Sequence, residues 1–146
     1  MTNYDTTGVP GTSVEITNDA AVAQVFLDAL GVRDFPRLET CFHPASHLRA
    51  LVPPGLRVGT GPEETVGWFK KWFSGSDHFE VIFSEVDQVS DRLHIAYRIR
   101  LHQSVRWYLV EQHVYCTVKQ ERIEAMDLLC SGFRLESPTS VMCQST

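Results

Sequence analysis

The sequence predicts a single α+β domain, in which helices come first along the chain and an antiparallel sheet follows. Apolar residues recur at helical spacing up to about residue 75 and alternate in the manner of strands from about residue 79. Helices that are segregated from strands along a chain pack on one face of an antiparallel sheet. The length of 146 residues fits one domain. We assign it to residues 17–136, with loose termini at 1–16 and 137–146.

Three helices are predicted in the first half of the chain. The first follows a cap at Thr17 or Asn18 and ends at Gly31, because short polar residues cap helix starts and glycine ends helices. A short second helix begins at Asp34. The third begins at Pro62, since proline is well suited to the first helical turn. Between the second and third helices, the letters HLRALV indicate one short strand.

Four strands are predicted in the second half, over residues 79–89, 93–102, 105–118 and 122–130. Polar residues separate these strands. A two-residue turn at Gln103–Ser104 places His94 opposite His113. A three-residue turn at Lys119–Glu121 places His113 opposite Asp127. Because opposed side chains lie about 5 Å apart at Cβ, the three would form one row across three strands.

Such a row has several possible roles. A carboxylate beside an imidazole fixes the tautomer of the ring and makes it more basic, which suits the pair to proton transfer. In that interpretation Asp127 is the base, His113 is its partner or the acid, and His94 is an auxiliary group. Alternatively the groups bond to one another without any reaction, or two His and a carboxylate form a metal triad. Neither His lies in a metal-ligand motif, so we predict no metal.

Alternation alone does not decide which sheet face packs under the helices. If the more apolar face does, His113 and Asp127 lie outside; if that face is a subunit interface, they line a cavity. The more apolar face carries Ile95, Tyr97, Ile99, Leu101, Tyr108, Val110, Val114, Met126 and Leu128.

Charge and composition exclude some classes of partner. The chain has 13 basic and 18 acidic residues, a net charge of −5, whereas nucleic-acid binders present a basic face. No stretch approaches the ~20 apolar residues of a membrane span, and no targeting segment is visible. The cysteines are scattered, as in cytoplasmic chains with free thiols, at Cys41, Cys116, Cys130 and Cys143. We therefore predict a cytoplasmic protein without a nucleic-acid or membrane partner.

The chain resembles the nuclear transport factor 2-like superfamily, and within it the SnoaL-like group, over about residues 19–135. The resemblance rests on the order of the elements, on DFPRLETCFHP and GPEETVGWF, and on EQHVYCTVKQERIEAMDLLCSGF. In the last segment, His113 and Asp127 match the acid/base positions of SnoaL-like cyclases. Ser46 stands where ketosteroid isomerases carry an aspartate. Ala96 and His94 stand where limonene-epoxide-hydrolase relatives need an aspartate and an arginine.

The resemblance implies a cone, in which a strongly curved sheet closes with the helices around an apolar cavity. It places Asp127 inward and Met126 outward, and implies a homodimer formed through the outer sheet face. The implied activity is cofactor-free isomerisation, aldol-type cyclisation or epoxide opening on a hydrophobic small molecule. A non-catalytic binding or dimerisation module of the same fold is the alternative. The substrate-binding candidates are Phe26, Leu51, Trp68, Phe69, Trp72, Arg98, Trp107, Glu111 and Tyr115.

Overall fold

The structure, a computed structural model, describes the backbone of residues 10–136 and the side chains of residues 19–136. Three helices and seven strands lie within these residues. The helices are α1 Pro10–Gly31, α2 Phe35–Glu39 and α3 Gly61–Phe73, and the strands are β1 Phe42–Val52, β2 Gly55–Thr60, β3 His78–Val89, β4 Arg92–Gln103, β5 Arg106–Lys119, β6 Arg122–Cys130 and β7 Arg134–Leu135.

The helix starts are those the sequence predicts, with one exception. Asp34 caps α2 by accepting a hydrogen bond from the backbone N–H of Arg37, and Pro62 lies in the first turn of α3. The exception is α1, which begins at Pro10 and not after a cap at Thr17 or Asn18. Of the predicted loose termini, residues 1–9 and 137–146 lie outside the described residues. Among the described helices, none has the length and hydropathy that a membrane crossing requires.

The seven strands form one curved sheet in the order β2-β1-β6-β5-β4-β3, with β7 paired to β5. The neighbouring strands are antiparallel except for β1 and β6, which are parallel. The meander predicted from β3 to β6 is therefore confirmed, and so is the α+β cone with helices packed on a curved, mostly antiparallel sheet. The hairpin of β1 and β2 extends this sheet beyond β6.

The helices cover the more apolar face of the sheet. The ring of Phe26 in α1 lies 5.9 Å from that of Phe69 in α3 and 5.9 Å from that of Tyr97 in β4, measured between centroids. Met126 in β6 is also fully buried on this face. Burial of apolar area is worth about 25 cal/mol per Å², so the face with the greater apolar area packs against the helices.

We call the opposite side of the sheet the outer face; it carries His94 and Arg98 of β4, His113 of β5 and Asp127 of β6. The predicted orientation, with Asp127 inward and Met126 outward, is therefore wrong. The side chain of Asp127 is 33% exposed on the outer face, whereas Met126 belongs to the core. The more apolar face packs under the helices and leaves His113 and Asp127 outside, which is one of the two arrangements that the sequence left open.

The turn between β4 and β5 differs from the predicted one. It consists of Ser104 and Val105, which have φ angles of 54° and 57°, so it has the positive φ at both positions that tight hairpin turns require. His94 consequently pairs with Tyr115 and not with His113. β-branched residues seldom adopt positive φ, and the sequence therefore carries no signal for a turn at this point.

The turn between β5 and β6 also shifts the predicted register. It consists of Gln120–Glu121, both with positive φ, and the register shifts once more where Val118 pairs with Ile123 but Thr117 pairs with Ala125. As a result Asp127 pairs with Tyr115, and His113 pairs with Leu129. The prediction that His94, His113 and Asp127 lie directly opposite one another in a single row is therefore wrong.

Candidate functional site

A cavity of about 420 Å³ lies between α3, the β1–β2 turn and the segment that follows β6. We call it the α3 cavity. The residues that line it are Val52, Pro53, Pro54, Arg57, Trp68, Lys71, Trp72, Cys130, Ser131, Gly132, Phe133 and Arg134. Apolar and aromatic side chains therefore form most of its wall.

Trp68 and Trp72 present their rings to the α3 cavity from adjacent turns of α3. Residues four apart lie on one helix face, and here the two ring centroids are 6.1 Å apart. The indole N–H of Trp68 donates a hydrogen bond of 2.8 Å to the backbone carbonyl of Val58 in β2. This bond fixes the orientation of one aromatic wall.

The opposite wall depends on a glycine. Gly132 has a φ of +82°, and a Cβ atom at this position would lie 2.6 Å from Cγ of Pro53. Only glycine has both the backbone freedom and the small volume that this approach requires. Gly132 thus lets the segment after β6 close against the β1–β2 turn.

A buried hydrogen-bonded chain connects this wall to the core. The hydroxyl of Tyr97 donates to Oε1 of Gln112 at 2.5 Å, and the Gln112 amide donates to the sulfur of Cys130 at 3.4 Å. The backbone N–H of Gly132 donates to the same sulfur at 3.3 Å. Tyr97 and Gln112 are fully buried, and burial raises the pKa of Tyr97 well above its usual value. Nothing in the sequence pattern singled out Gln112.

The thiol prediction is confirmed for the described part of the chain. Cys41, Cys116 and Cys130 are free, and Cys143 lies outside the described residues. Burial raises the pKa of Cys41 to about 11 and that of Cys116 to about 12, which keeps both as neutral, unreactive thiols.

The outer face holds a second cluster of polar groups. His94 Nδ1 lies 2.7 Å from Oδ1 of Asp87, and His94 Nε2 lies 3.0 Å from Nδ1 of His113. His113 Nε2 in turn lies 3.0 Å from Oε2 of Glu111, whose other oxygen accepts from Arg98 at 3.0 and 3.1 Å. We call these five residues the histidine chain. The structure therefore brings His94 and His113 together diagonally, although they are not opposed.

The carboxylates of the histidine chain orient its two rings. An ionised carboxylate only accepts hydrogen bonds, so Asp87 orients the His94 ring through Nδ1 and Glu111 orients the His113 ring through Nε2. The hydrogen bonds from His113 and then Arg98 lower the pKa of Glu111, which keeps its carboxyl ionised.

Asp127 is not part of the histidine chain. Its Oδ1 accepts from Nε of Arg49 at 2.9 Å, and its Oδ2 accepts from a terminal nitrogen of Arg92 at 2.9 Å. These arginines lower the pKa of Asp127, and the hydrogen bond from Arg49 is the largest cause. The ring of Tyr115, directly opposite Asp127, stacks on His94 with centroids 4.7 Å apart.

Two of the predicted substrate-binding residues, Trp68 and Trp72, line the α3 cavity. Phe26 and Phe69 are fully buried and contact each other in the core, so they are not part of the cavity lining. Leu51 was expected to wall a cavity, but its side chain points from β1 to the outer face and is 53% exposed. The expectation for Leu51 is wrong because the even-numbered residues Leu48, Ala50 and Val52 of β1 face the core, so the odd-numbered Leu51 faces away from it.

The remaining four, Arg98, Trp107, Glu111 and Tyr115, lie on the outer face. They share this face with His113, and it is turned away from the helices. The sequence analysis missed most of the α3 cavity, namely the turn at Pro53–Pro54 and residues 130–134. The letters PPG at residues 53–55 and SG at residues 131–132 each predict a turn. Neither motif indicates that the two turns lie against each other.

Comparison with known proteins shows a shared fold without sequence similarity. No protein-family model matches the chain, and no curated protein has a significantly similar sequence. A Catenulispora acidiphila protein of ketosteroid isomerase-like fold, solved with trimethylamine, has a TM-score of 0.62 and 17% identity over 85% of this chain and 91% of its own. A Mycobacterium tuberculosis LEH-like epoxide hydrolase has a TM-score of 0.61 and 15% identity, over 79% and 84% of the two chains.

A candidate SnoaL-like polyketide cyclase from Shewanella putrefaciens has a TM-score of 0.61 and 11% identity, over 77% of this chain and 88% of its own. At these identities the likeness concerns the fold alone. It agrees with the fold expected from the resemblance in the sequence.

The ion pairs of Asp127 predict an acid-dependent loss of stability. The pKa of Asp127 is lower in the folded chain than the value of about 3.9 expected when unfolded. Its contribution is therefore present above about pH 4 and is lost as the pH falls through the folded pKa. We expect Asp127→Asn to lower the free energy of unfolding by up to about 1 kcal/mol at neutral pH, the size of a part-exposed ion pair, and by less below pH 4. Urea denaturation across this pH range measures the difference.

The matched control is Asp91→Asn, since Asp91 is exposed in the β3–β4 turn. A control that loses the same stability with the same pH dependence would contradict the assignment to the two arginines.

Proposed function

Because the chain has the nuclear transport factor 2-like fold, we propose that it binds a small hydrophobic or aromatic molecule in the α3 cavity. The observation that carries this proposal is the aromatic wall of Trp68 and Trp72, which faces Pro53 and Phe133 across a space of about 420 Å³. Ligand sites in proteins are mostly apolar clefts of roughly 300–1,000 Å³ with a few polar groups. Flat apolar molecules fit such a wall because indole rings favour stacked or edge contacts.

The lining favours binding over acid/base chemistry. Among the residues that the structure describes, the titratable side chains of the lining are Arg57, Lys71, Cys130 and Arg134, and no carboxylate or histidine is present. The predicted catalytic residues, Asp127, His113 and His94, are on the far side of the sheet. A ligand in the α3 cavity would be separated from them by the sheet backbone. We therefore favour the non-catalytic binding protein over the enzyme.

The binding proposal is tested with phenylnaphthylamine, an uncharged aromatic probe that becomes fluorescent when it leaves water. We expect one probe to bind per chain, and Trp68→Ala to weaken binding about tenfold or more, since burial of a large side chain is worth about 1.5–3 kcal/mol. The matched control is Trp107→Ala, because Trp107 contacts Arg100 on the outer face. If Trp107→Ala weakens probe binding and Trp68→Ala does not, the probe binds on the outer face and the proposal is contradicted.

A second candidate is acid/base chemistry on the outer face, and one observation favours it. A shallow cavity of about 260 Å³ adjoins Glu111 and His113, next to Leu129, Cys130 and Ser131. In this candidate a molecule in the shallow cavity replaces Glu111 as the partner of His113 Nε2 and exchanges a proton with it. His94 supplies or accepts that proton through His113 Nδ1. Asp127, bound to two arginines, is not the base here.

Nitrogen NMR of the histidine side chains tests that arrangement. We expect Glu111→Gln to change the ring ¹⁵N shifts of His113, because it removes the carboxylate that His113 contacts at 3.0 Å. Asp127→Asn is the control, and we expect it to leave those shifts unchanged. The opposite result would restore the predicted pairing of His113 with Asp127 and rule out the histidine chain.

The more apolar sheet face, which the resemblance implied as the dimer interface, packs under the helices, so we further propose that the chain forms a homodimer through the outer face instead. In support, exposed apolar side chains adjoin one another there: Leu51 pairs with Leu56 and with Leu129, and all three are at least half exposed. An isologous contact would bury them. We expect light scattering to give twice the chain mass, and Leu51→Glu to give the mass of one chain. A wild-type protein of single-chain mass at high concentration would refute the dimer.

A further inference from the structure

We infer that the molecule bound in the α3 cavity carries an anionic group, such as a carboxylate or sulfonate, on its aromatic body. This inference rests on the binding function proposed above. Three cationic side chains from three different elements line the cavity: Arg57 from β2, Lys71 from α3 and Arg134 from β7. Local sequence does not bring them together, because only the fold places these elements around one space.

The cations of the cavity differ from the arginines of the outer face. Four arginines of the outer face form ion pairs with carboxylates, namely Arg49 and Arg92 with Asp127, Arg98 with Glu111, and Arg100 with Glu136. Within the described part of the chain, the three cavity cations form no such pair. A ligand anion would supply the missing partner.

The overall charge of the chain makes this local arrangement notable. The chain has a net charge of −5, yet the described residues that line the α3 cavity include three cations and no carboxylate. Positive charge confined to a concave site raises the local concentration of anions, and walls of low dielectric strengthen this effect. A wholly apolar ligand would gain nothing from it.

The positions of two cations indicate where the anionic group lies. Nζ of Lys71 is 5.2 Å from the ring centroid of Trp68, and Cζ of Arg57 is 5.8 Å from the same centroid. The anion therefore lies at the Trp68 end of the cavity, where Lys71 is exposed and the charge keeps contact with water. The aromatic body extends from there toward Trp72 and Phe133.

A pair of matched probes tests the inference. Anilinonaphthalene sulfonate and phenylnaphthylamine share one ring framework, and only the former carries a sulfonate. We expect Arg57→Gln and Lys71→Gln each to lower the affinity for the sulfonate about tenfold, as the loss of a charge-assisted hydrogen bond does, and to lower the affinity for the uncharged probe by a clearly smaller factor, since both side chains also line the cavity. Added salt should weaken the binding of the sulfonate probe and leave the binding of the uncharged probe unchanged.

The matched control is Arg122→Gln, which removes an exposed cation at the opposite end of β6. Near-ultraviolet circular dichroism of each variant verifies that it is folded. Equal losses in the control and the cavity variants would mean that net charge alone acts, and would overturn the inference. Binding of both probes without any effect of Arg57→Gln or Lys71→Gln would overturn it while leaving the proposed function in place. If neither probe binds, the proposed function fails and the inference fails with it.

Discussion

The packing of the helices on the apolar sheet face is the constraint on which the rest of the structure depends. Phe26 contacts both Phe69 of α3 and Tyr97 of β4 there. This burial assigns every strand residue to the core or to the outer face, because side chains alternate along a strand. His94, His113 and Asp127 are placed outside by this parity, and so they cannot reach a ligand that lies on the helix side of the sheet.

Two sets of polar groups therefore lie on opposite sides of one sheet and differ in chemistry. On the outer face, carboxylates, imidazoles and arginines bond to one another, and their charges are largely balanced. In the α3 cavity, cations stand beside aromatic rings without carboxylates. A site whose polar groups already satisfy one another has little to offer a ligand. Cations that have no carboxylate partner in residues 19–136 and lie beside an apolar wall provide both orientation and affinity. The second site is therefore the better candidate for binding.

The histidine chain shows which features of a sheet can be predicted by counting residues from the turns. The predicted register is two residues off in both hairpins, because Ser104 and Val105 form the first turn, and the register shifts once more beside the second. An even shift keeps each side chain on its face. His94 and His113 consequently still meet, but diagonally, and Asp127 moves next to Tyr115. The shared face was predictable from alternation; the hydrogen-bond partners were not.

The sequence by itself determined the order of helices and strands, the alternating faces of β4 to β6, and the aromatic stripe of α3, because each depends on periodicity or on residues close along the chain. Tertiary structure alone decided which face is buried, since that follows from competition between two surfaces for the same helices. It also decided the α3 cavity, where Pro53 lies against Gly132, and where Arg57 and Lys71 line one space. These residues are far apart along the chain, and only the parallel pairing of β1 with β6 and the packing of α3 on β1 and β2 bring them together.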